Sequence, residues 1–232
     1  ESNFRFANAD EYSGIANFNI FPFPAPLPVP DTQTGVSFDL GLEWRGDTTA
    51  LSLVGYRLDV DDEIGFEPVS GQNFNIGDSR RYGVNLSGHW QPLEGLELGG
   101  SYAFIDGEMT SGRFDGAEIT FAARHSGSLQ ARYSHASVFS AATELVAVDE
   151  RVLAGDFSNS LPALPGYAVM NARIGYRWQG VSVNLSVNNL LDKEYSDAGS
   201  AGFDFRDPFF PTVATLFPAP DRNVLLSVGY SL

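Results

Sequence analysis

Apolar and polar side chains alternate along much of the chain with a period of two residues. The final segment has an apolar set on one face that alternates with small or polar residues: Val224, Leu226, Val228, Tyr230 and Leu232. The same alternation begins near Val36, Tyr82, Met170 and Val181. Because a β-strand points successive side chains to opposite faces, each segment is predicted to be a strand with one apolar face. No sustained 3.6-residue periodicity is present, so the pattern favours an all-β fold.

A period of two occurs both in soluble β-sandwiches and in membrane barrels, so further features are needed to separate them. The alternation runs for about nine to twelve residues in several segments, which is the length of a tilted transmembrane strand. Soluble strands are usually about five or six residues long. Trp44, Trp90, Trp178 and Tyr230 lie on the apolar face beside turns, as expected for an aromatic belt at a membrane interface. These features favour a membrane barrel over the alternative, a soluble sandwich with an aromatic core.

The connections between the predicted strands alternate between short and long. The short ones lie around 45–47, 91–95, 135–137 and 179–180. The long ones are roughly 10–34, 61–80, 107–121, 150–166 and 193–220. Short turns at one rim and long loops at the other are typical of outer-membrane barrels. With a periplasmic C-terminus, all the long loops are expected outside the cell.

About ten strands are predicted in this register, and no domain boundary is visible within residues 1–232. Their approximate bounds are 2–8, 35–46, 48–60, 80–91, 95–107, 121–135, 137–149, 167–179, 180–191 and 222–232. Residues 21–30 carry proline at alternate positions, which favours an extended polyproline linker within an extracellular loop.

Composition narrows the function without fixing it. The 232 residues are 43% hydrophobic and carry a formal net charge of -15, which suits one sizeable domain and argues against a nucleic-acid partner. The absence of cysteine excludes a disulfide framework and any thiolate zinc site. The sequence has no apolar run of about 18 residues and no signal peptide, so neither a transmembrane helix nor a leader is expected. A start at Glu1 without Met suggests a processed or partial product.

At the C-terminal end two phrases are specific enough to suggest a family. Asn188-Asn189-Leu190-Leu191-Asp192-Lys193-Glu194-Tyr195 precedes a loop, and Pro220-Asp221-Arg222-Asn223-Val224 opens the last strand. Together they resemble the end of TonB-dependent receptors. Asp221 stands where the family usually has glycine, and Leu232 where it usually has an aromatic residue. Segments 4–11, 56–64 and 81–86 also resemble strand-opening or hairpin phrases of this family.

This resemblance implies a transmembrane antiparallel β-barrel of the 22-strand type in the bacterial outer membrane, with an N-terminal plug. It implies uptake of a scarce nutrient, most commonly a ferric siderophore, energised through TonB. It implies neither an enzyme nor a cofactor, and its expected contacts include outer-membrane lipid and lipopolysaccharide. Only about the last half of such a barrel is present, without a plug. An open half-sheet in lipid would leave edge groups unpaired at several kcal/mol each, to order of magnitude. The chain is therefore expected to be a fragment, a subunit completed by a second chain, or a small closed barrel.

The candidate ligand-binding residues fall into two groups. Arg81 and Arg124 are predicted on the polar face, where they would contact a plug or guide an anionic ferric chelate; the alternative is a hydrated wall with ion pairs. The second group lies in the last long loop, where exposed aromatic rings and a cation suit a catecholate or aryl chelate: Phe203, Phe205, Arg206, Phe209 and Phe210. The alternative is a loop that folds on its own aromatic residues. Phe18, Phe21 and Phe23 are weaker candidates of the same kind.

Catalytic and metal signals are poor. The acidic cluster of Asp59, Asp61, Asp62 and Glu63 lacks the spacing of a calcium loop, so it is expected to be a solvated strand end or a divalent-ion bridge to lipopolysaccharide. His125 lies near the extracellular rim, but no nucleophile elbow and no phosphate-binding glycine loop accompany it.

Overall fold

The computed structural model describes residues 2–5, 30–67, 72–136 and 138–231, and they form an almost entirely β structure. Twelve strands and one short 3₁₀ turn, Gly112–Phe114, make up its regular elements. The strands are β1 Ser2–Arg5, β2 Gln33–Arg45, β3 Thr49–Glu67, β4 Gln72–Leu93, β5 Leu96–Met109, β6 His125–His135, β7 Phe139–Val148, β8 Tyr167–Trp178, β9 Val181–Asn188, β10 Ser196–Phe203, β11 Thr212–Pro218 and β12 Asn223–Tyr230. No helix in these described residues is both long and apolar enough to span a membrane.

Ten of the strands form one antiparallel sheet in which neighbours in sequence are neighbours in space. Its order is β1 to β9 followed by β12, while β10 and β11 form a separate two-stranded hairpin. β1 pairs only with β2, and β12 pairs only with β9, so these two strands are the edges of the described sheet. The sheet is therefore a partial barrel, and the expectation of a small closed barrel is wrong.

Residues that are directly paired across the strands share a face, and the register separates two chemically different faces. On one face Leu42 pairs with Leu53, Leu53 with Leu86, and Leu86 with Tyr102. We call this the outward face. We call the opposite face the inner face. The neighbouring row of paired residues lies on it and crosses β2 to β6: Glu43, Ser52, Ser87, Ser101 and Ser128.

No sheet formed by the described residues packs against the apolar rows of the outward face. Leu40 is 76% exposed and Leu226 is 62% exposed. In water such a surface would cost about 25 cal/mol for every Å² of apolar area. Lipid removes that cost, as the barrel interpretation of the alternation requires.

The aromatic residues predicted at strand ends lie where a membrane belt requires them. Trp44, Trp90 and Trp178 are outward and at least half exposed beside the short turns. On β4, Tyr82 is also outward and precedes Trp90 by eight residues. At about 3.4 Å per residue and a tilt of about 40°, the two levels are about 20 Å apart along the membrane normal, close to the height of a barrel's apolar band.

Two predicted loops contain strands. β3 continues to Glu67 and β4 begins at Gln72, so most of the region predicted as the loop 61–80 is paired, with register shifts near Val60 and Glu63. The sequence signal is lost there because a strand that rises above the lipid needs no apolar row. The predicted loop 193–220 likewise contains the hairpin β10–β11, whose strands are rich in small residues.

The remaining strand bounds agree with the prediction to within about four residues. The first strand is described only as far as Arg5, and the rest of its predicted range lies outside the described residues. The predicted polyproline linker and the candidates Phe18, Phe21 and Phe23 also lie outside them, except for Pro30.

Among the described residues, a compact apolar core is present only at the extracellular end, where loops fold against the sheet. It consists of Ile76, Met109, Phe114 and Phe157, with Phe74 and Ala117 packed against it. Leu153 and Leu164, in the connection between β7 and β8, are fully buried. Packing therefore fixes the extracellular loops against the inner face.

Candidate functional site

A half-open cavity lies where these loops cover the extracellular end of the inner face. Its volume is about 420 Å³. Glu63 and Arg81 of β3 and β4 line one side, and Glu118, Phe157 and Ser200 come from three separate loop or hairpin segments. The cavity therefore combines two charged side chains of the wall with polar and aromatic groups of the extracellular layer.

The charge of Arg81 is neutralised within the cavity wall. Its Nη2 donates to Glu63 Oε1 at 2.6 Å, and its Nη1 donates to Ser79 Oγ at 2.8 Å. Ser79 Oγ in turn donates to the other carboxylate oxygen of Glu63. Because both charged side chains are only about one-fifth exposed, this closed triangle ties β3 to β4 across their register shift. Arg81 lines the cavity as half of an ion pair.

The loop between β7 and β8 is held by a buried carboxylate. Asp156 is 4% exposed, and its oxygens accept hydrogen bonds from the backbone nitrogens of Ser160 at 3.0 Å and Leu161 at 2.9 Å. Asn159 then joins this loop to its neighbour by bonding both the N–H and the C=O of Glu118, at 2.7 and 3.1 Å. These bonds fix the part of the loop that presents Phe157 to the cavity.

Arg151 attaches the same loop to the hairpin. It is 8% exposed, its Nη2 donates to the Asp197 carbonyl at 2.5 Å, and its guanidinium lies over the rings of Phe121 and Tyr167. Backbone bonds from Ala154 N to Gly199 O and from Ala201 N to Ala154 O complete the attachment. The loop and hairpin therefore form one packed layer above the inner face.

Beyond the end of β10, the chain presents a cluster of exposed aromatic residues. We call residues 203–211 the aromatic loop. The ring centroids of Phe203 and Phe205 are 6.2 Å apart, and those of Phe205 and Phe210 are 6.1 Å apart, both edge to face. Phe205 is 78% exposed and Phe209 is 89% exposed. Part of the loop packs on itself, but it still presents a large apolar surface to the outside.

The cation of the aromatic loop is paired locally. Arg206 Nε and Nη2 donate to the two carboxylate oxygens of Asp204 at 2.8 and 3.0 Å. This hydrogen bonding by Arg206 lowers the pKa of the Asp204 carboxyl. The guanidinium remains almost fully exposed, so its outer face can still contact an aromatic or anionic ligand.

The structure brings together the five candidates of the aromatic loop but does not add the two wall arginines to them. Arg81 lies in the cavity, to which the hairpin contributes Ser200, three residues before Phe203. Arg124 forms ion pairs with Asp106 at 3.2 Å and Glu118 at 2.9 Å. Asp106 is directly opposite Tyr82, so its position belongs to the outward face.

The acidic cluster is divided between the two faces. Asp59 is outward and bonded to arginines, whereas Glu63 belongs to the Arg81 triangle. Within the described part of the chain, no group of three or more His, Cys, Asp or Glu side chains could hold a metal ion. His125 is directly paired with the outward Phe104, and its ring nitrogen bonds Tyr102 Oη at 2.7 Å.

The two phrases that suggested a family contact one another. Asn189 has a left-handed φ of 51° and is 3% exposed; its side chain bonds the backbone N and O of Lys193, both at 2.9 Å. Asp192 accepts from Arg222 N at 3.1 Å, and Asn188 Nδ2 donates to Asn223 Oδ1 at 2.8 Å. These bonds fix where β12 begins beside β9. They also explain why the two phrases contain Asn188, Asn189, Asp192 and Arg222.

Several of these structural residues were not predicted from the sequence. Arg151, Asp156 and Asn159 lie in a segment without alternation, and their partners are distant in the sequence or are backbone atoms. Asn189 lies within one of the two C-terminal phrases. Because Asn adopts left-handed backbone more readily than most non-glycine residues, its residue type was the signal that could have predicted a turn there.

Comparisons with known proteins agree with this geometry. Residues 2–190 match the family described as TonB dependent receptor-like, beta-barrel. The chain is 31% identical over 173 residues to the metal-pseudopaline receptor CntO of Pseudomonas aeruginosa, a match that covers 70% of this chain and 23% of the receptor. It therefore spans about a quarter of the length of the curated relatives that it matches.

Solved structures show the same fold. The copper transporter OprC superposes with a TM-score of 0.74 at 22% identity, covering 100% of this chain and 36% of OprC. The ferric yersiniabactin uptake receptor FyuA of Yersinia pestis superposes with a TM-score of 0.72 at 15% identity, covering 87% of this chain and 30% of FyuA.

Proposed function

The chain belongs to the TonB-dependent receptor family, as a C-terminal part of the outer-membrane β-barrel, and we propose that it serves uptake of a metal chelate, in the first place a ferric siderophore. Family membership supports nutrient uptake across the outer membrane. The finer assignment draws on the aromatic loop and on the relatives, one named for a metal–pseudopaline complex and another for ferric yersiniabactin. Energy for transport would come through a plug and TonB, which this segment does not contain.

The observation that carries the proposal is the exposure of the aromatic loop on the hairpin that also lines the cavity. Phe205 and Phe209 offer ring faces to the outside, and Arg206 offers a cation beside them. An aromatic or anionic chelate could stack there first and then move toward the cavity at Ser200 and Arg81. Aromatic and cation–π contacts at exposed sites contribute about 0.5–1 kcal/mol each. Two such contacts correspond to roughly a tenfold change in affinity.

The proposal also assigns a role to the cations of the lower inner face. Arg132 and Arg173 both flank Ala142 in the register, beside a depression of about 280 Å³. Neither forms an ion pair with a described residue. We propose that they face the plug of the complete receptor, where acidic groups would complement them.

The test uses the complete receptor that contains this chain. Phe205→Ala combined with Arg206→Ala should weaken ferric-chelate binding about tenfold, measured by tryptophan fluorescence quenching, and slow radiolabelled iron uptake at subsaturating concentrations. Leu191→Ala is the matched control, because Leu191 is 70% exposed but lies outside the aromatic loop. Binding that is unchanged in the double variant, or equally weakened in the control, would remove the aromatic loop from ligand recognition.

A second polypeptide could supply the missing strands instead, because both edges β1 and β12 lack a partner in the described sheet. The two arrangements differ in the mass of the denatured polypeptide that carries this segment. A denatured band of full receptor size, recognised by an antibody to the hairpin β10–β11, supports one continuous barrel. A band near 25.1 kDa supports a two-chain barrel.

A further inference from the structure

The arginines at the cavity and the aromatic loop are already paired with carboxylates. Arg81 lines the cavity, and Arg206 lies in the aromatic loop. Arg124 contacts Glu118, which also lines the cavity. The ion pairs are Arg81 with Glu63 at 2.6 Å, Arg124 with Glu118 at 2.9 Å and with Asp106 at 3.2 Å, and Arg206 with Asp204 at 2.8 Å. An anionic ligand would therefore have to compete with a carboxylate of the protein for each of these cations.

That competition is most unfavourable at Arg81. The side chains of Arg81 and Glu63 are both mostly buried, and Ser79 bonds each of them. If Arg81 turned toward a ligand anion, Glu63 would stay behind as a largely buried charge without its cation, which is strongly destabilising. Arg81 therefore serves the wall of the cavity and is a poor site for an anion.

Carboxylates outnumber cations in the three connections that cover the inner face, residues 110–124, 149–166 and 189–222. Together these connections contain 11 Asp or Glu residues and 6 Arg or Lys residues. The cavity lining itself has two carboxylates, Glu63 and Glu118, and one cation, Arg81. A cleft lined by an excess of one sign of charge attracts ligands of the opposite sign and repels those of the same sign.

The remaining cations of these connections do not line the cavity: Arg113, Arg151, Lys193 and Arg222. Arg151 is 8% exposed, and its guanidinium lies over two aromatic rings. Arg222 is paired with Asp192 at 3.4 Å. These residues therefore add no positive charge to the cavity wall that could offset its carboxylates.

Two carboxylates are placed to contact a positively charged group of a ligand. The side chain of Glu118 is 61% exposed, and it shares Arg124 with Asp106, so this group of three carries a net negative charge. Asp207, in the aromatic loop, forms no ion pair with a described residue, and its Oδ1 accepts from Phe209 N at 2.9 Å. The other side chains of the cavity lining are uncharged, and many are apolar, such as Phe66 and Phe157.

We propose that the cavity and the aromatic loop select metal chelates that are neutral or positively charged and discriminate against anionic chelates. This inference rests on the uptake function proposed above and narrows its ligand class. Apolar or aromatic parts of the chelate would lie against the rings of Phe157 and the aromatic loop, and a positively charged group would lie near Glu118 or Asp207. The paired guanidinium of Arg206 would stack on an aromatic group of the ligand, a contact that does not require a free charge.

The experiment uses the complete receptor and three forms of one ferric trihydroxamate that differ only at a remote amine. Three hydroxamate anions balance the charge of ferric iron, so the free ammonium form carries one positive charge, the acetylated form none and the succinylated form one negative charge. Binding is measured by tryptophan fluorescence quenching. At low salt the ammonium and acetylated forms should bind about tenfold more tightly than the succinylated form, and high salt should reduce this difference because it screens exposed charges.

A pair of variants locates the origin of the discrimination. Glu118→Gln combined with Asp207→Asn removes two carboxylates from the proposed surface, and should bring the affinities of the ammonium and succinylated forms to within about threefold of each other. Asp47→Asn combined with Glu94→Gln is the matched control, because it removes two exposed carboxylates from the short turns at the opposite end of the barrel. The control should keep the tenfold difference. Heat-modifiable migration on a gel checks that each variant is folded.

The outcomes separate this inference from the uptake function on which it rests. Equal affinities for the three forms, or tightest binding of the succinylated form, would overturn the charge inference and leave chelate uptake supported. So would discrimination that persists in the test variant or disappears equally in the control, or a receptor that binds only a ferric tris-catecholate, which is strongly anionic. If the receptor bound and transported none of these four chelates, the charge inference and the proposed uptake function would both fail.

Discussion

Replacing Leu86 by arginine should strongly destabilise the barrel, while the same replacement at the adjacent Ser87 should not. Leu86 is outward and pairs with Leu53 and Tyr102; Ser87 is inner and pairs with Ser52 and Ser101. The two positions share a strand, a depth and a backbone environment. Apart from the residue that is replaced, they differ only in the face to which the side chain points.

The magnitude follows from the depth of Leu86. It lies four residues from Tyr82 and four from Trp90, so it is at the middle of the apolar band. An arginine on the lipid face at that depth costs about 2–4 kcal/mol. The leucine also loses its own lipid contact, roughly 1–2 kcal/mol of apolar burial. The total expected loss for Leu86→Arg is about 3–6 kcal/mol. Ser87→Arg places its charge in a hydrated lumen and should change stability by less than about 1 kcal/mol.

The assay is reversible guanidinium unfolding of the complete receptor in lipid vesicles, followed by tryptophan fluorescence. We expect the midpoint of Leu86→Arg to fall well below that of the wild type, with Ser87→Arg close to the wild type. If both variants lost the same stability, or if Ser87→Arg lost more, the assignment of the two faces would be refuted.

Three further variants test the extracellular layer and the C-terminal turn. Glu63→Gln leaves the largely buried Arg81 without its carboxylate and should lower the free energy of unfolding by about 2 kcal/mol, a value reduced because the pair is partly exposed. Adding Arg81→Gln should restore part of the loss, and a double-mutant cycle in guanidinium would measure how much. Asn189→Ala removes two buried hydrogen bonds from a left-handed turn and should cost about 2 kcal/mol in the same unfolding assay, so a loss below about 0.5 kcal/mol would contradict its role. Asp156→Ala should speed amide hydrogen exchange at Ser160 at least tenfold with little change in global stability, and unchanged exchange would show that another group holds the loop.

The membrane-spanning part of the fold could be predicted from the sequence because lipid imposes a strict pattern on it. Every second residue of β2 from Val36 to Trp44 is apolar, and the register places all of them outward. The aromatic residues at the ends of these rows gave the position of the interface. The two C-terminal phrases indicated the family. Asp192 in the first phrase contacts Arg222 in the second, and each phrase is a short continuous segment that can be recognised in a sequence.

The extracellular layer could not be predicted in the same way, because no solvent pattern constrains it. Beyond the Tyr82 level a strand can carry any residue, so the continuation of β3 through Asp61 and Asp62 resembled a loop. The pairing of Glu63 with Arg81 depends on a register shift near Val60 that alternation does not reveal. The sequence placed Arg81 in the lumen, and only the structure shows that its charge is already matched.

The central claim is that lipid contacts one face of these strands and water or protein contacts the other. The most direct measurement is a nitroxide scan of residues 82–90 on β4 in the complete receptor, reconstituted in bilayers, with oxygen and a polar nickel complex as relaxation agents. We predict that accessibility to oxygen peaks at the outward residues Tyr82, Val84, Leu86, Gly88 and Trp90, and that accessibility to nickel peaks at the inner residues Gly83, Asn85, Ser87 and His89. Equal access of both agents along the strand, or oxygen peaks at the intervening residues, would contradict the account.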